Sequence, residues 1–255
     1  MGIMISVSSN SHRSLNGLQE NIQTLFKSME KLSSGLSINS AADNPAGLII
    51  SEQLRSQIAG LNQRIANVTS SIHKYQTASS SISMLRTSLI ELRSLALGAA
   101  NEGLNSEAAQ QAFDVAAQDL VQTYNSAIDN VRFNGKTLLD GSEGALASID
   151  DLSGIDLSSG ATAVESIEQI DAAFAGLNQV TIELGTTQKY ELESRLASLE
   201  VARENLVAAE SQRRDTDYAS EMTNYIAGMI RSRMSAALLS HGNITRKAVL
   251  QLLGS

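Results

Sequence analysis

Residues 45–100 read PAGLIISEQLRSQIAGLNQRIANVTSSIHKYQTASSSISMLRTSLIELRSLALGAA, and their apolar spacing points to one long helix. Leu54, Ile58, Leu61, Ile65, Val68, Ile72 and Tyr75 follow one another at alternating intervals of four and three. Ala78 continues the rhythm weakly, and Ile82, Leu85, Leu89, Leu92 and Ala96 carry it on. Such spacing lays apolar side chains along one seam of a helix. The only breakers inside are Gly47, Gly60 and Gly98. An unbroken helix over these residues would run roughly 84 Å. A small globular domain cannot enclose such a rod, so the sequence predicts that it pairs with other rods.

On the N-terminal side, Asn44 is a good N-cap and Pro45 suits the first helical position, where its missing N–H is not needed. Residues 33–47 are rich in Ser, Ala, Asn and Gly and read as a joint. Before it, Leu15, Leu18, Ile22, Leu25, Met29 and Leu32 repeat the three–four spacing. Taken alone, that seam describes any amphipathic helix packed on its own core. On the C-terminal side, Gly98 and Gly103 bracket the end of the rod, and Asn105-Ser106-Glu107 looks like a fresh helix start. Ala109, Phe113, Ala116, Leu120, Tyr124, Ile128 and Val131 line one side of the helix expected there. Asn134-Gly135 and Asp140-Gly141 are turn dipeptides that favour a small hairpin. Residues 141–162 read as loop or short strand.

A third long helix is expected from near Val164, marked by Ile167, Ile170, Phe174, Leu177, Thr181 and Leu184, then by Leu192, Leu196, Leu199 and Leu206 beyond Gly185. Arg213-Arg214-Asp215 reads as a polar joint. The last helix carries Tyr218, Met222, Tyr225 and Met229 in one row, and Ile226, Ile230, Met234 and Leu238 in another. The chain runs on through Val249-Leu250-Gln251-Leu252-Leu253. The nearly palindromic order predicts a mostly α fold, a long antiparallel coiled-coil or helical bundle with paired ends and a small β insert near 131–163.

Composition narrows the function. The 255 residues include one Pro, no Cys and no Trp, with 4% aromatics. Without Cys there is no disulfide, thiolate zinc site or cysteine nucleophile. Few aromatics and a single Pro argue against a sandwich or barrel. No apolar run reaches the roughly 18–20 residues that span a bilayer, so no membrane insertion is expected. The first residues lack a basic n-region and an apolar core, which argues against a cleavable signal peptide. Residues 101–200 carry 17 acidic and 4 basic side chains, within a net charge of −8. A middle so acidic repels phosphate backbones, so nucleic acid is not an expected partner.

Chemistry is hard to place. His12, His73 and His241 have no His, Asp or Glu three or four residues away. Asp150, Asp151 and Asp156 lack the spacing of a calcium loop. No nucleophile elbow, phosphate loop or dinucleotide fingerprint occurs. No catalytic, cofactor or metal residue is expected, and the chain is not read as an enzyme. The last helix offers more: one partner helix would struggle to cover both of its apolar rows. That favours contacts with several neighbours, hence assembly.

The stretch from Lys31 to Leu48, KLSSGLSINSAADNPAGL, resembles the signature of bacterial flagellin, and Ser51 to Leu61, SEQLRSQIAGL, continues the likeness. Residues 133–141, FNGKTLLDG, resemble the segment leading into that family's β-hairpin. Residues 213–222, RRDTDYASEM, resemble the joint before its C-terminal helix, and 249–253, VLQLL, resemble its close. The resemblance covers residues 5–140 and 164–253. It implies an inner domain of paired terminal helices (1–44 plus 212–255) and a rod-like helical domain (45–211). The assembly seams would be Leu15, Leu18, Ile22, Leu25, Met29, Leu32, Tyr218, Met222, Tyr225, Ile226, Met229, Ile230, Met234, Leu238, Leu250 and Leu253. The rod core would comprise Leu54, Ile58, Leu61, Ile65, Val68, Ile72, Leu85, Leu89, Leu92, Leu196, Leu199 and Leu206.

The same resemblance implies a homopolymeric filament outside the cell, reached by the flagellar type III route. It also implies a dedicated export chaperone, and hook–filament junction and cap proteins as partners. The large variable outer domains of many flagellins are missing. One position departs from the pattern. Where flagellins recognised by the innate immune receptor carry a basic patch, Arg93 and Leu95 match but Glu91 stands in place of an Arg, reversing a charge. Weak receptor activation is expected. Two rival readings share some features. A hook–filament junction protein would have paired terminal helices but join rather than polymerise; the strong match at 31–61 favours flagellin. A cytoplasmic coiled-coil signalling rod would run its heptads to a single hairpin tip, without the joint at 33–47 or the acidic insert.

Overall fold

The computed structural model describes residues 2–101, 103 and 105–253; inside its terminal helices the side chains of residues 2–12, 246, 249, 250, 252 and 253 lie outside the description. His12, Leu250 and Leu253 are among them. The elements are α1 (Gly2–Ser34), α2 (Pro45–Ala99), α3 (Glu107–Asn130), β1 (Arg132–Phe133), β2 (Lys136–Thr137), α4 (Gly160–Thr186), a π-helical segment (Thr187–Glu193), α5 (Ser194–Arg214) and α6 (Tyr218–Leu253). The mostly helical fold with a small two-stranded antiparallel sheet agrees with the sequence expectation.

Cap chemistry sets the helix starts. Asn44 Oδ1 accepts from the Gly47 amide at 2.9 Å. Ser106 Oγ accepts from the Ala109 amide at 3.3 Å. α4 begins at Gly160 rather than near Val164, because Ser159 and Thr162 cap reciprocally: each side chain accepts from the other's backbone N–H. β1 and β2 pair Arg132 with Thr137 and Phe133 with Lys136. Asn134 (φ 51) and Gly135 (φ 79) both adopt the left-handed backbone that a tight two-residue hairpin requires.

The chain divides into two compact units: Met1–Gly60 with Arg203–Ser255, and Leu61–Ala202. Both divisions fall inside helices, α2 and α5, so the first unit takes in the joints, the first turns of α2 and the end of α5.

The second unit holds the apolar core. Ala78, Ile82, Leu85, Leu89, Leu92 and Ala96 of α2 are exposed by 2% or less. They pack with Ala117, Tyr124 and Ile128 of α3, with Ile170, Leu177 and Leu184 of α4, and with Leu138, Leu139 and Leu157 from the connection between α3 and α4. A smaller cluster joins Val68 and Ile72 of α2 to Leu192, with Leu196 and Leu199 alongside. Leu54, Ile58, Leu61, Ile65 and Leu206 are half-buried.

The π segment has a cause in the sequence. Continuing the three–four rhythm from Leu184 would place the next core positions at 188 and 191, yet the apolar residues come at 192, 196, 199 and 206. They lag by one residue throughout. In an α-helix one residue is a rotation of about 100°, which would turn Leu192 away from Ile72. Widening one turn to i→i+5 bonding absorbs the extra residue, and Leu192 stays buried against Val68 and Ile72.

Candidate assembly surface

α1 and α6 pair antiparallel: Asn21 reaches Ser235 (Nδ2 to Oγ, 3.3 Å), Leu25 lies over Gly228, and Ser28 donates to Glu221. Lys31 also lies 4.0 Å from the Glu221 carboxylate. On α1 one shielded row runs through Ser14, Leu18, Asn21, Leu25, Ser28 and Leu32, with Gly17 and Lys31 half-buried beside it. On α6 a matching row runs through Glu221, Tyr225, Gly228, Ser232, Ser235, Leu239 and Gly242, with Ala227 and Met229 half-buried beside it. Both rows keep the four–three spacing, and both mix large apolar residues (Leu18, Leu25, Leu32, Tyr225, Leu239) with small or polar ones. The two helices approach closely at Gly228: a Cβ there would sit 3.3 Å from the Leu25 side chain, which would have to yield by a few tenths of an ångström. Among the described residues of the two helices, only Ser28 and Gly228 are fully buried.

The apolar seam expected on α1 is therefore split. Leu18, Leu25 and Leu32 turn toward α6, while Leu15, Ile22 and Met29 remain 38–49% exposed, and Phe26 beside them is 65% exposed. On α6, Tyr225 and Met229 are half-buried. Tyr218, Met222, Ile226, Ile230, Met234 and Leu238 are 46–62% exposed. These last six recur every four residues. Each step advances about 40° beyond a full turn, so five steps wind roughly 200° around the axis. No single straight partner can cover that row. Contiguous exposed apolar surface of this kind marks an interaction site.

The joints are held by a network that the sequence did not reveal. Leu36 and Asp215 form an isolated antiparallel bridge. The Ser37 amide donates to Arg214 O at 2.6 Å, and the Thr216 amide to Gly35 O at 2.9 Å. Arg214 Nη1 donates to Glu52 Oε1 at 3.0 Å and to the buried Ser51 hydroxyl at 3.3 Å. Ser51 in turn donates to Glu210 at 3.4 Å. Hydrogen bonds from Arg214, then Arg55, hold the Glu52 carboxyl below its ordinary pKa. Arg214 was legible only as a member of a polar joint, and nothing in the spacing pointed to Glu52, 162 residues away.

The receptor-like patch is partly engaged within its own unit. Arg93 makes a two-pronged ion pair with Asp171, Nε to Oδ1 at 2.7 Å and Nη2 to Oδ2 at 3.4 Å. Leu95 packs against the core, and Glu91 is exposed.

Against known proteins, residues 5–144 match the bacterial flagellin N-terminal helical region and residues 167–253 the bacterial flagellin C-terminal helical region. A flagellin of Halalkalibacterium halodurans is 36% identical, with 96% of each chain covered. A flagellin of Bacillus subtilis is 31% identical, covering 94% of this chain and 96% of that one. Flagellin FlaB1 of Treponema pallidum is 29% identical over 89% of this chain and 91% of its own. A crystal structure of Bacillus cereus flagellin aligns with 62% of this chain and 93% of its own, at 20% identity and a TM-score of 0.42. With both helical regions matched in order, and relatives at this identity aligned over nearly their whole length, the chain belongs to the bacterial flagellin family.

Proposed function

We propose that the chain is a structural subunit that polymerises, through its paired terminal helices, into a bacterial flagellar filament, the propeller of swimming motility. The observation that supports this best is the incomplete packing of α1 and α6: among their described residues only Ser28 and Gly228 are fully buried, while a winding apolar row faces out. Two such helices gain little from each other and much from identical neighbours. Head-to-tail contacts whose rotation does not close continue as a helical polymer. In this reading 1–44 with 212–255 is the inner domain that supplies the assembly contacts, and 45–211 is a rod-like helical domain. A structural rather than catalytic role accords with the family. By the same family logic the subunit is exported to a filament outside the cell with the help of a chaperone, and meets junction and cap proteins at the filament's two ends.

Seeded growth tests the reading. Short filament fragments and precipitating salt are added to pure subunits, followed by electron microscopy and limited proteolysis. Long filaments are expected, with residues 1–35 and 216–255 cut in the free subunit and protected in the polymer. A subunit that resists proteolysis throughout and never elongates the seeds contradicts it. A junction protein would bind seed ends without extending them.

A further inference from the structure

A cleft of about 870 Å3 opens in the second unit between α3, α4 and residues 146–153. Tyr124 of α3 lines it, only 1% exposed, and the Tyr124 hydroxyl has no hydrogen-bond partner among the described residues. A buried polar atom without a partner is rare in folded proteins and calls for an explanation. Asp150, Asp151 and Glu183 also line the cleft, and no Lys or Arg does. The segment carrying the two aspartates is fixed to α3 beside Tyr124: Asn125 Nδ2 donates to Leu152 O at 2.9 Å, and Asn125 Oδ1 accepts from the Leu152 amide at 2.9 Å. α4 contributes the small residues Ala172, Ala173 and Gly176, with Leu177 and Val180 beside them and the amides of Gln169 and Gln179 also on the lining.

These features select a ligand chemistry. The phenol is neutral at physiological pH, since burial first and the charges of Asp151 and Asp150 second push its pKa up to about 12. A neutral hydroxyl can accept a hydrogen bond, and carboxylates only accept. A donor with positive charge satisfies all of them together, and an aliphatic stem suits the small-residue wall. We propose that this cleft binds an alkylammonium group, its nitrogen between the Tyr124 hydroxyl and the Asp150 and Asp151 carboxylates, its methylene stem along Ala172, Ala173 and Gly176. A free polyamine carries that group, and so does a lysine side chain of a second copy of this chain. Binding of the free amine does not depend on the assembly reading.

The test titrates spermidine calorimetrically into the soluble full-length chain at low ionic strength, and measures the depolymerisation temperature of seeded filaments. Three variants enter both assays: Tyr124→Phe, Asp150→Asn with Asp151→Asn, and Glu143→Gln. The last removes an acidic charge of the same connecting segment that does not line the cleft. Saturable binding weakened about ten-fold or more by the first two variants, and unchanged by Glu143→Gln, supports the site with a free amine as ligand. Absent binding to the soluble chain, together with filaments that depolymerise at lower temperature in the first two variants only, supports the site with a neighbour's lysine as ligand. The proposal is overturned if all three variants behave alike in both assays, or if magnesium chloride at equal ionic strength displaces spermidine as well as excess amine does. Should wild-type subunits fail to polymerise, the assembly reading falls and calorimetry alone decides this one.

Discussion

The α1–α6 pair and the α2–α3–α4 core are written in the same seven-residue rhythm, yet they use it in opposite ways. In the core, Leu85, Leu89 and Leu92 carry the rhythm inward and are almost fully buried. In the terminal pair Ser28, Gly228, Ser232 and Ser235 share the inward positions with Leu18, Leu25, Leu32, Tyr225 and Leu239, while Met222, Ile226, Ile230 and Met234 look out. Hydrophobic burial scales with apolar area removed from water. By that measure the core stabilises its own unit, whereas most of what the terminal helices can gain awaits a partner. Periodicity locates a stripe; it does not say whose surface will cover it.

The sharpest break of this contrast is a pair of substitutions. Leu89→Ala empties a fully buried site and should destabilise the second unit by about 3 kcal/mol, read as a lower denaturant midpoint in the unpolymerised chain. Ile230→Ser, at a site 57% exposed, should leave that midpoint within about 0.5 kcal/mol and still abolish seeded elongation. If Ile230→Ser instead unfolds the subunit while its filaments grow normally, the two regions do not divide stability and assembly between them.

Next in size is a deletion. Removing Lys189 takes out the one residue that the π segment accommodates, so a regular α-helix would place Leu184 and Leu192 on the same face without widening a turn. The melting temperature of the subunit should hold or rise. Removing Thr87 from α2 has no such slack. It rotates Leu89 and Leu92 by about 100° relative to Leu85 and should unfold the unit. Equal damage from both deletions, followed by circular dichroism, would show that the lagging rhythm is coincidence.

Much of this was legible beforehand because it rests on local chemistry. Asn44-Pro45 and Ser106-Glu107 mark helix starts through capping atoms that the structure shows in use. Asn134-Gly135 marks the hairpin because few other residues accept its two left-handed conformations. The start of α4 was missed by one turn, since its reciprocal cap uses Thr162 where Glu or Gln is the usual signal. The lag between Leu184 and Leu192 was present in the sequence, but it reads as a break at Gly185 until the partner face of α2 is known. The split of the α1 seam and the Arg214–Glu52 contact were not legible at all. Both depend on which surfaces meet across more than 150 residues of chain, and no local rule carries that.

A smaller effect is expected at the receptor-like patch. Glu91→Arg reverses an exposed charge and should scarcely change stability. With Arg93 already committed to Asp171, the exposed charge at 91 is the one left to vary. Innate-receptor reporter cells should respond weakly to the wild-type monomer and more strongly to Glu91→Arg. Strong activation by wild type would remove any role for the reversed charge.

The mildest contrast is in acid. Glu52 at the joints and Asp171 in the second unit both have lowered carboxyl pKa values, the first through hydrogen bonds from Arg214 and then Arg55, the second through its bond from Arg93. A carboxyl whose folded value lies below its unfolded value favours folding in its ionised form. That contribution is complete above the ordinary values of 4.5 for Glu and 3.8 for Asp, and fades as pH falls through the lower folded values. Both groups are in water, so salt screens them and the effect is slight. Melting temperature plotted against pH should therefore turn down below about pH 4.5. Asp171→Asn should flatten the slope for the second unit only, and Glu52→Gln should do so for protection of the joints against protease. A wild-type slope unchanged in both variants would mean that neither ion pair distinguishes the folded chain from the unfolded one.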